Sequence, residues 1–350
     1  MQIPSFWKKR NWRQAPLGIM IVLAALVSLF VGTRQWTETS ATAKDYIKWV
    51  DFDVSYDALC QAYQWDVETH GTEYEVHWIE LLAYTASHTG GAFDKKALSL
   101  LGDTAGRLAA GEADMAELTA DLKYYDYYLE AYTAVLGGLV GEYEVEEQDE
   151  NGHVNWKSKY GLKAYFPLAR GFDYSHFDDF GVSRSYGYKR RHLGHDMMGL
   201  TGTPIMAIES GRVEALGWNQ YGGWRVGIRS LDGKRYYYYA HLRQNYPFAE
   251  NLEEGSFVTA GDVIGYMGHT GYSTRENVNN IEVTHLHWGL ELVFDESQKE
   301  SDNEIWIDVY ALTRFLAKHT QPAEKVEGTK EWVRTTQMRD PELVIFLSNL

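Results

Sequence analysis

A chain of 350 residues has room for two domains beside a membrane segment. Its net charge of −16 argues against a nucleic-acid partner, because phosphate binding needs a basic surface. The single cysteine, Cys60, excludes an intramolecular disulfide, so stability must come from packing or metal. In its apolar-periodic segment that thiol reads as a small buried hydrophobe rather than a reactive group.

Residues 1–16 form a basic segment with Lys8, Lys9, Arg10 and Arg13 and no acid. From Gln14 to Thr33 nothing is charged, and 20 residues at about 1.5 Å each reach roughly 30 Å, the thickness of a bilayer core. Residues 17–33 therefore read as a transmembrane signal anchor. The basic flank places the N-terminus in the cytoplasm and the bulk of the chain outside, at the outer face of the cell membrane. The rival reading is a cleaved signal peptide, but the small-residue site Ala41-Thr42-Ala43 lies well downstream of the apolar run.

Residues 44–143 read as a small all-α domain. Apolar residues three and four apart mark helices near 56–67 and 76–87, Thr72 with Glu75 has the form of a capping box, and Gly90-Gly91 is a stop signal. The tyrosines Tyr124, Tyr125, Tyr127, Tyr128 and Tyr132 read as core or interface rather than as a sugar-stacking platform. Glu80 sits near Gly90-Gly91 as in lysozyme-like muramidases, but the acid expected just before Ser-Gly-Gly is missing, and a lone carboxyl is weak support for glycoside hydrolysis. Residues 144–177 read as a connector with a hairpin turn at Asn151-Gly152. The basic cluster Lys189, Arg190 and Arg191 reads as a solvated edge or as a contact for acidic stem peptides.

The motif His192-Leu193-Gly194-His195-Asp196 comes next. His192 and Asp196 share a face on a strand and also on a helix, and Gly194 between them favours a loop entering a strand. Short strands follow at 204–208, 212–216, 224–229, 235–240 and 263–267, punctuated by glycine turns, which is the pattern of an all-β domain. In His285-Leu286-His287 the two histidines project to one side of a strand. Five of the 12 histidines, His192, His195, His241, His285 and His287, fall at or beside these motifs. His192, Asp196 and His287 supply the nitrogen and carboxylate ligands that a catalytic zinc site takes, with a fourth position left open.

These motifs resemble the lysostaphin/LytM-type zinc metallopeptidases, which cut peptide bonds in bacterial cell-wall peptidoglycan. The family pattern runs H-x-G-x-D, G-T-P-V, Y-A-H-L, G-D-x-I-G-x-x-G-x-T-G-x-S and H-L-H-F. This chain has His192-Leu193-Gly194-His195-Asp196, then Gly202-Thr203-Pro204-Ile205, then Tyr239-Ala240-His241-Leu242. Gly261-Asp262-Val263-Ile264-Gly265 follows with Gly268-His269-Thr270-Gly271-Tyr272-Ser273, and the run ends at His285-Leu286-His287-Trp288.

The resemblance implies a β-sandwich or partly open barrel over 178–318, while residues 319–350, with Pro322 and Pro341, read from composition as a polar, loosely ordered tail. It implies Zn2+ held by His192, Asp196 and His287, catalytic roles for His241 and His285, and a neighbouring, non-catalytic place for His195. The implied activity is that of a zinc metallo-endopeptidase acting on peptidoglycan peptide, which the anchor expected at 17–33 would tether to the cytoplasmic membrane. Two departures stand out: the segment 274–284 is longer than the family's link, and Thr284 replaces a common proline. That segment reads as a solvent-facing loop at the groove rim that sets substrate choice. The competing class is a non-catalytic LytM-like envelope protein that binds cell-wall peptide or activates or recruits a partner; the complete set of ligands and histidines favours the enzyme.

Overall fold

The computed structural model describes residues 46–185, 189–299 and 301–350, of which 47–350 form one compact unit. The expected membrane segment 17–33 lies outside the described residues. Among the described residues no helix is long and apolar enough to cross a membrane.

The unit opens with five helices: α1 (Tyr56–Thr69), α2 (Trp78–Thr89), α3 (Lys95–Ala109), α4 (Met115–Thr119) and α5 (Tyr125–Leu136). The Ser55 hydroxyl caps α1 by accepting from the Ala58 amide, and the Asp94 carboxylate caps α3 through the Lys96 and Ala97 amides. Gly90, in the left-handed region at φ 66°, ends α2 as its sequence position predicts.

The capping box expected at Thr72 and Glu75 does not start a helix. α2 begins at Trp78, and the buried carboxylate of Asp66, from α1, accepts from the Trp78 amide at 2.8 Å. A charge on a neighbouring helix thus does what the local sequence was expected to do, and it meets the positive end of α2. Asp66 also accepts from the Tyr160 hydroxyl at 2.6 Å, which ties both helices to the strand that follows.

That strand belongs to the expected hairpin, β1 (Val140–Gln148) with β2 (Val154–Leu162), closed at Asn151-Gly152 where Asp149 accepts from the amides of Asn151 and His153. Short strands follow: β3 (Ser175–His176), β4 (Ser183–Ser185), β5 (Lys189–Arg191), β6 (His195–Met198) and β7 (Pro204–Met206). Then come β8 (Gly211–Asn219), β9 (Gly223–Ser230), β10 (Arg235–Ala240), β11 (Phe257–Val258), β12 (Val263–Tyr266), β13 (His285–Leu292) and β14 (Ile305–Ile307). What was expected as a sandwich or partly open barrel is a mostly β unit built on one eight-stranded antiparallel sheet, ordered β11-β8-β9-β10-β13-β6-β3 with β14 on β13; β12 and β7 pair beside it.

Strand alternation divides the residues of this sheet between two faces. On β13, Leu286, Trp288, Leu290 and Leu292 are fully buried, and so are Tyr237 and Tyr239 on β10. They join one continuous core with Leu59, Leu81 and Tyr132 of the helices, so the helical part and the sheet share their hydrophobic interior. Cys60 packs half-buried against the same core. Polar closure accompanies it: the buried Arg235 pairs with Glu209 at 2.8 Å and donates to the Ala134 carbonyl in the last turn of α5 at 2.9 Å. The opposite face carries His285, His287 and Glu291.

After the helix α6 (Tyr310–Leu316), residues 319–350 are not the loose tail the polarity suggested. They form the hairpin β15 (Ala323–Lys325) with β16 (Trp332–Arg334), the strand β17 (Met338–Arg339) paired to β1, and the helix α7 (Pro341–Ser348). Met338 is buried against Tyr143, Val145 and Tyr165, and a buried ion pair joins Asp340 to Lys163 at 3.2 Å. A few anchoring contacts hold a segment whose average composition is polar.

Candidate metal centre

Register builds the centre. Asp196 on β6 lies directly opposite His287 on β13, and side chains at such paired positions meet across the sheet. The Asp196 Oδ1 atom is 2.8 Å from His287 Nδ1. His192, in the loop between β5 and β6, places its Nε2 3.0 Å from the same oxygen and 3.1 Å from His287 Nδ1. Gly194 makes this possible: a Cβ there would lie 2.6 Å from the His287 ring. Alternation sends His195 to the other face, where its Nε2 meets His176 Nδ1 at 2.8 Å, and burial, then His176, pushes its pKa down to about 3.

The hydrogen positions follow from the partners. His192 Nδ1 lies 3.2 Å from both the carbonyl oxygen and a carboxylate oxygen of Asp179, which outweigh the Arg184 guanidinium at 3.4 Å. Those oxygens only accept, so the hydrogen sits on Nδ1 and the bare Nε2 faces Asp196. Arg184 donates to the other Asp196 oxygen, Oδ2, at 2.7 Å and also pairs with Asp179. Oδ1 is left for the imidazoles. Burial drives the Asp196 carboxyl up, but the neighbouring His192 and His287 outweigh it and hold the group well below the carboxylate range. Burial lowers His287, which keeps it neutral.

Three electron-pair donors thus point at one another, which is unfavourable unless a cation or a shared proton lies among them. Two imidazoles and a carboxylate are ligands zinc takes, and three of them leave a position open, so the residues fit that ion.

His241 and His285 stand beside this group. His285 Nε2 is 3.7 Å from Asp196 Oδ1, and the His241 and His285 ring centroids are 4.8 Å apart. Each ring donates from Nδ1 to a backbone carbonyl: His241 to Thr270 at 2.9 Å, His285 to Val283 at 2.8 Å. Both therefore hold Nε2 bare while neutral. Burial, then His285 and His287, keeps His241 well below the ordinary histidine range. His241 also adopts φ 63°, a left-handed backbone of the kind that clusters at functional sites.

Residues 190–301 match the family model for peptidase family M23. The chain carries an M23 peptidase domain. Over 125 residues it is 38% identical to the L-Ala–D-Glu endopeptidase of Bacillus subtilis (strain 168), covering 36% of this chain and 37% of that protein. Over 89 residues it is 38% identical to lysostaphin of Staphylococcus simulans, covering 25% of this chain and 17% of that protein. The chain therefore spans well under two thirds of the length of either relative. A crystal structure of a LytM protein from Ruminococcus gnavus ATCC 29149 is 24% identical, covering 75% of this chain and 91% of that one with a TM-score of 0.48.

Within the M23 domain, the segment 274–284 is largely exposed yet firmly tied down. Asn277 accepts from the Trp224 indole at 2.9 Å and from the Asn245 amide at 2.9 Å, and the Ile281 carbonyl meets His269 Nδ1 at 2.7 Å. Through Val283 its last turn also orients His285. Asp179 and Arg184 escaped the sequence reading, because their partners lie across a short hairpin that no spacing rule links to the H-x-G-x-D motif. Glu291 escaped it too, although the alternation that pairs His285 with His287 extends through Gly289 to this position.

Glu291 is 2% exposed, and its Oε1 is buried without a hydrogen-bond partner. Burial, then Glu304, pushes its carboxyl up to about 7. A carboxyl raised on folding contributes stability that is complete below its unfolded pKa, near 4.5, and is lost as pH rises through about 7. Glu291→Gln removes this loss. The variant is expected to unfold with a flatter pH profile between about 5 and 8 and to be on the order of 2 kcal/mol more stable at the upper end. Denaturant melts across that range check it; an unchanged slope contradicts the assignment.

Proposed function

We propose that this chain is a zinc metallo-endopeptidase that hydrolyses peptide bonds in bacterial cell-wall peptidoglycan. The observation that carries the reading is the convergence of His192 Nε2, Asp196 Oδ1 and His287 Nδ1 within 3.1 Å of one another beside two histidines whose Nε2 atoms are bare. The names of the relatives, an L-Ala–D-Glu endopeptidase and lysostaphin, support a peptide in the cell wall as substrate.

His192, Asp196 and His287 would hold the ion. A bound zinc supplies Lewis acidity toward the scissile carbonyl and makes water acidic enough to ionise near neutral pH. His241 and His285 handle protons at Nε2: between them they take one from the attacking water and deliver one to the leaving amine, so that amide plus water gives acid plus amine. Their Nδ1 bonds to Thr270 and Val283 fix the rings in the tautomer that can do this. Arg184 and Asp179 orient the ligands by occupying the remaining atoms of Asp196 and His192. Digestion of peptidoglycan with the purified protein tests the reading: new amino termini are expected without new reducing sugars, and release of reducing sugars alone contradicts it.

The uncharged stretch with its basic flank supports a membrane-tethered enzyme with its catalytic part outside the cytoplasm. The full-length chain is expected in the membrane fraction. Intact mass and N-terminal sequencing check this, and a mature chain beginning near Lys44 contradicts the anchor.

A further inference from the structure

A cavity of about 450 Å³ opens on the far side of His287, on the same face of the sheet. Its floor is aromatic. Tyr236 and Tyr238 come from β10 and Trp306 from β14, and Gly289 between His287 and Glu291 leaves room for the Trp306 ring, since a Cβ there would lie 2.7 Å from it. Its charged rim is cationic in an otherwise acidic chain: Arg190, Arg191, Arg225 and Lys299 face Glu291 and Glu304.

Several of these charges are already used. Lys299 pairs with Glu214, and Glu304 accepts from the Trp306 indole at 2.8 Å. Arg229, which also acts on Glu291, is held by Glu214 at 2.7 Å. Arg190 lies over the Tyr272 ring, while the Nε–H of Arg225 and the Oε1 of Glu291 are buried without hydrogen-bond partners. An unpaired buried polar atom costs free energy that a ligand group can recover. Because burial and Glu304 lift the Glu291 carboxyl to about 7, near neutral pH a large share of it is protonated and can donate rather than repel.

We propose that this cavity is a subsite for a free carboxylate of the substrate peptide, bound chiefly by Arg225 with Arg190 and Arg191 at the rim, so that the enzyme takes acidic peptides in preference to neutral ones. The inference rests on the reading of His287 as part of a peptide-cleaving centre. It gives the basic cluster before His192 a partner, and it places the charged residue of the substrate within reach of the bond to be cut. An aromatic floor suits the aliphatic part of such a residue, while the arginines suit its planar carboxylate.

Calorimetry on the full chain carrying His285→Ala, to stop turnover, measures binding of a short L-alanyl-D-glutamyl peptide and of the same peptide with the free carboxylate converted to an amide. Charge-assisted hydrogen bonds predict about 10- to 100-fold tighter binding of the acid. Adding Arg225→Gln brings the ratio close to unity, and Arg225→Lys restores part of it. Equal binding of acid and amide overturns the subsite, as does an Arg225→Gln variant that weakens both peptides alike. Cleavage assays with the parent chain keep the two readings apart. Cleavage of both peptides with no preference in binding or rate sinks the subsite and leaves the peptidase standing, whereas a binding preference without cleavage supports the subsite and sinks the peptidase.

Discussion

His192→Ala and Asp196→Ala are expected to yield protein without stoichiometric zinc, where the parent holds about one ion per chain. Either change leaves two ligands, too few to hold the ion against water. The two variants differ in what they leave behind. Without Asp196 the Arg184 guanidinium keeps only Asp179 as a carboxylate partner, so this variant also loses stability. Without His192 the Asp196 carboxylate keeps both Arg184 and His287, and the fold is less affected. Elemental analysis of both proteins decides the matter, and full zinc in either removes that residue from the ligand set.

The second large effect separates chemistry from metal binding. His241→Ala and His285→Ala are expected to retain zinc and lose about 10²- to 10⁴-fold in kcat/KM, the usual contribution of a positioned acid or base. Neither side chain is among the three converging donors, and both stand beside them with Nδ1 bonded to a carbonyl and Nε2 bare. His241 calls for a control, because its left-handed backbone disfavours alanine. His241→Asn tolerates that conformation and should be as inactive at closer to parental stability. Loss of metal from either histidine variant would show that a ligand has been mistaken for an acid or base.

What the sequence reveals about this centre follows from how local each feature is. The shared face of His285 and His287 is a property of one strand and needs only alternation to see. That Asp196 sits opposite His287 depends on register between β6 and β13, some 90 residues apart, which no spacing along the chain shows. The roles of Asp179 and Arg184 depend on a hairpin folding back over His192, for which the chain offers no periodic sign. In the helical part the signals fared unevenly for the same reason. Gly90 ends a helix by its own backbone conformation, whereas Thr72 and Glu75 were overruled by Asp66 from an adjacent helix. Averaged polarity misled most in residues 319–350, where Met338 and Asp340, both buried, dock the segment against β1 and Lys163.

On the proposed function, a zinc ion at His192, Asp196 and His287 makes this chain a peptidase. The most direct measurement strips the purified protein with a chelator, returns zinc in sub-stoichiometric steps, and counts the amino termini released from peptidoglycan at each step. Activity absent from the stripped protein and rising in proportion to zinc, to a plateau near one ion per chain, is the predicted result. Undiminished activity in stripped protein that elemental analysis shows to be free of metal would contradict it.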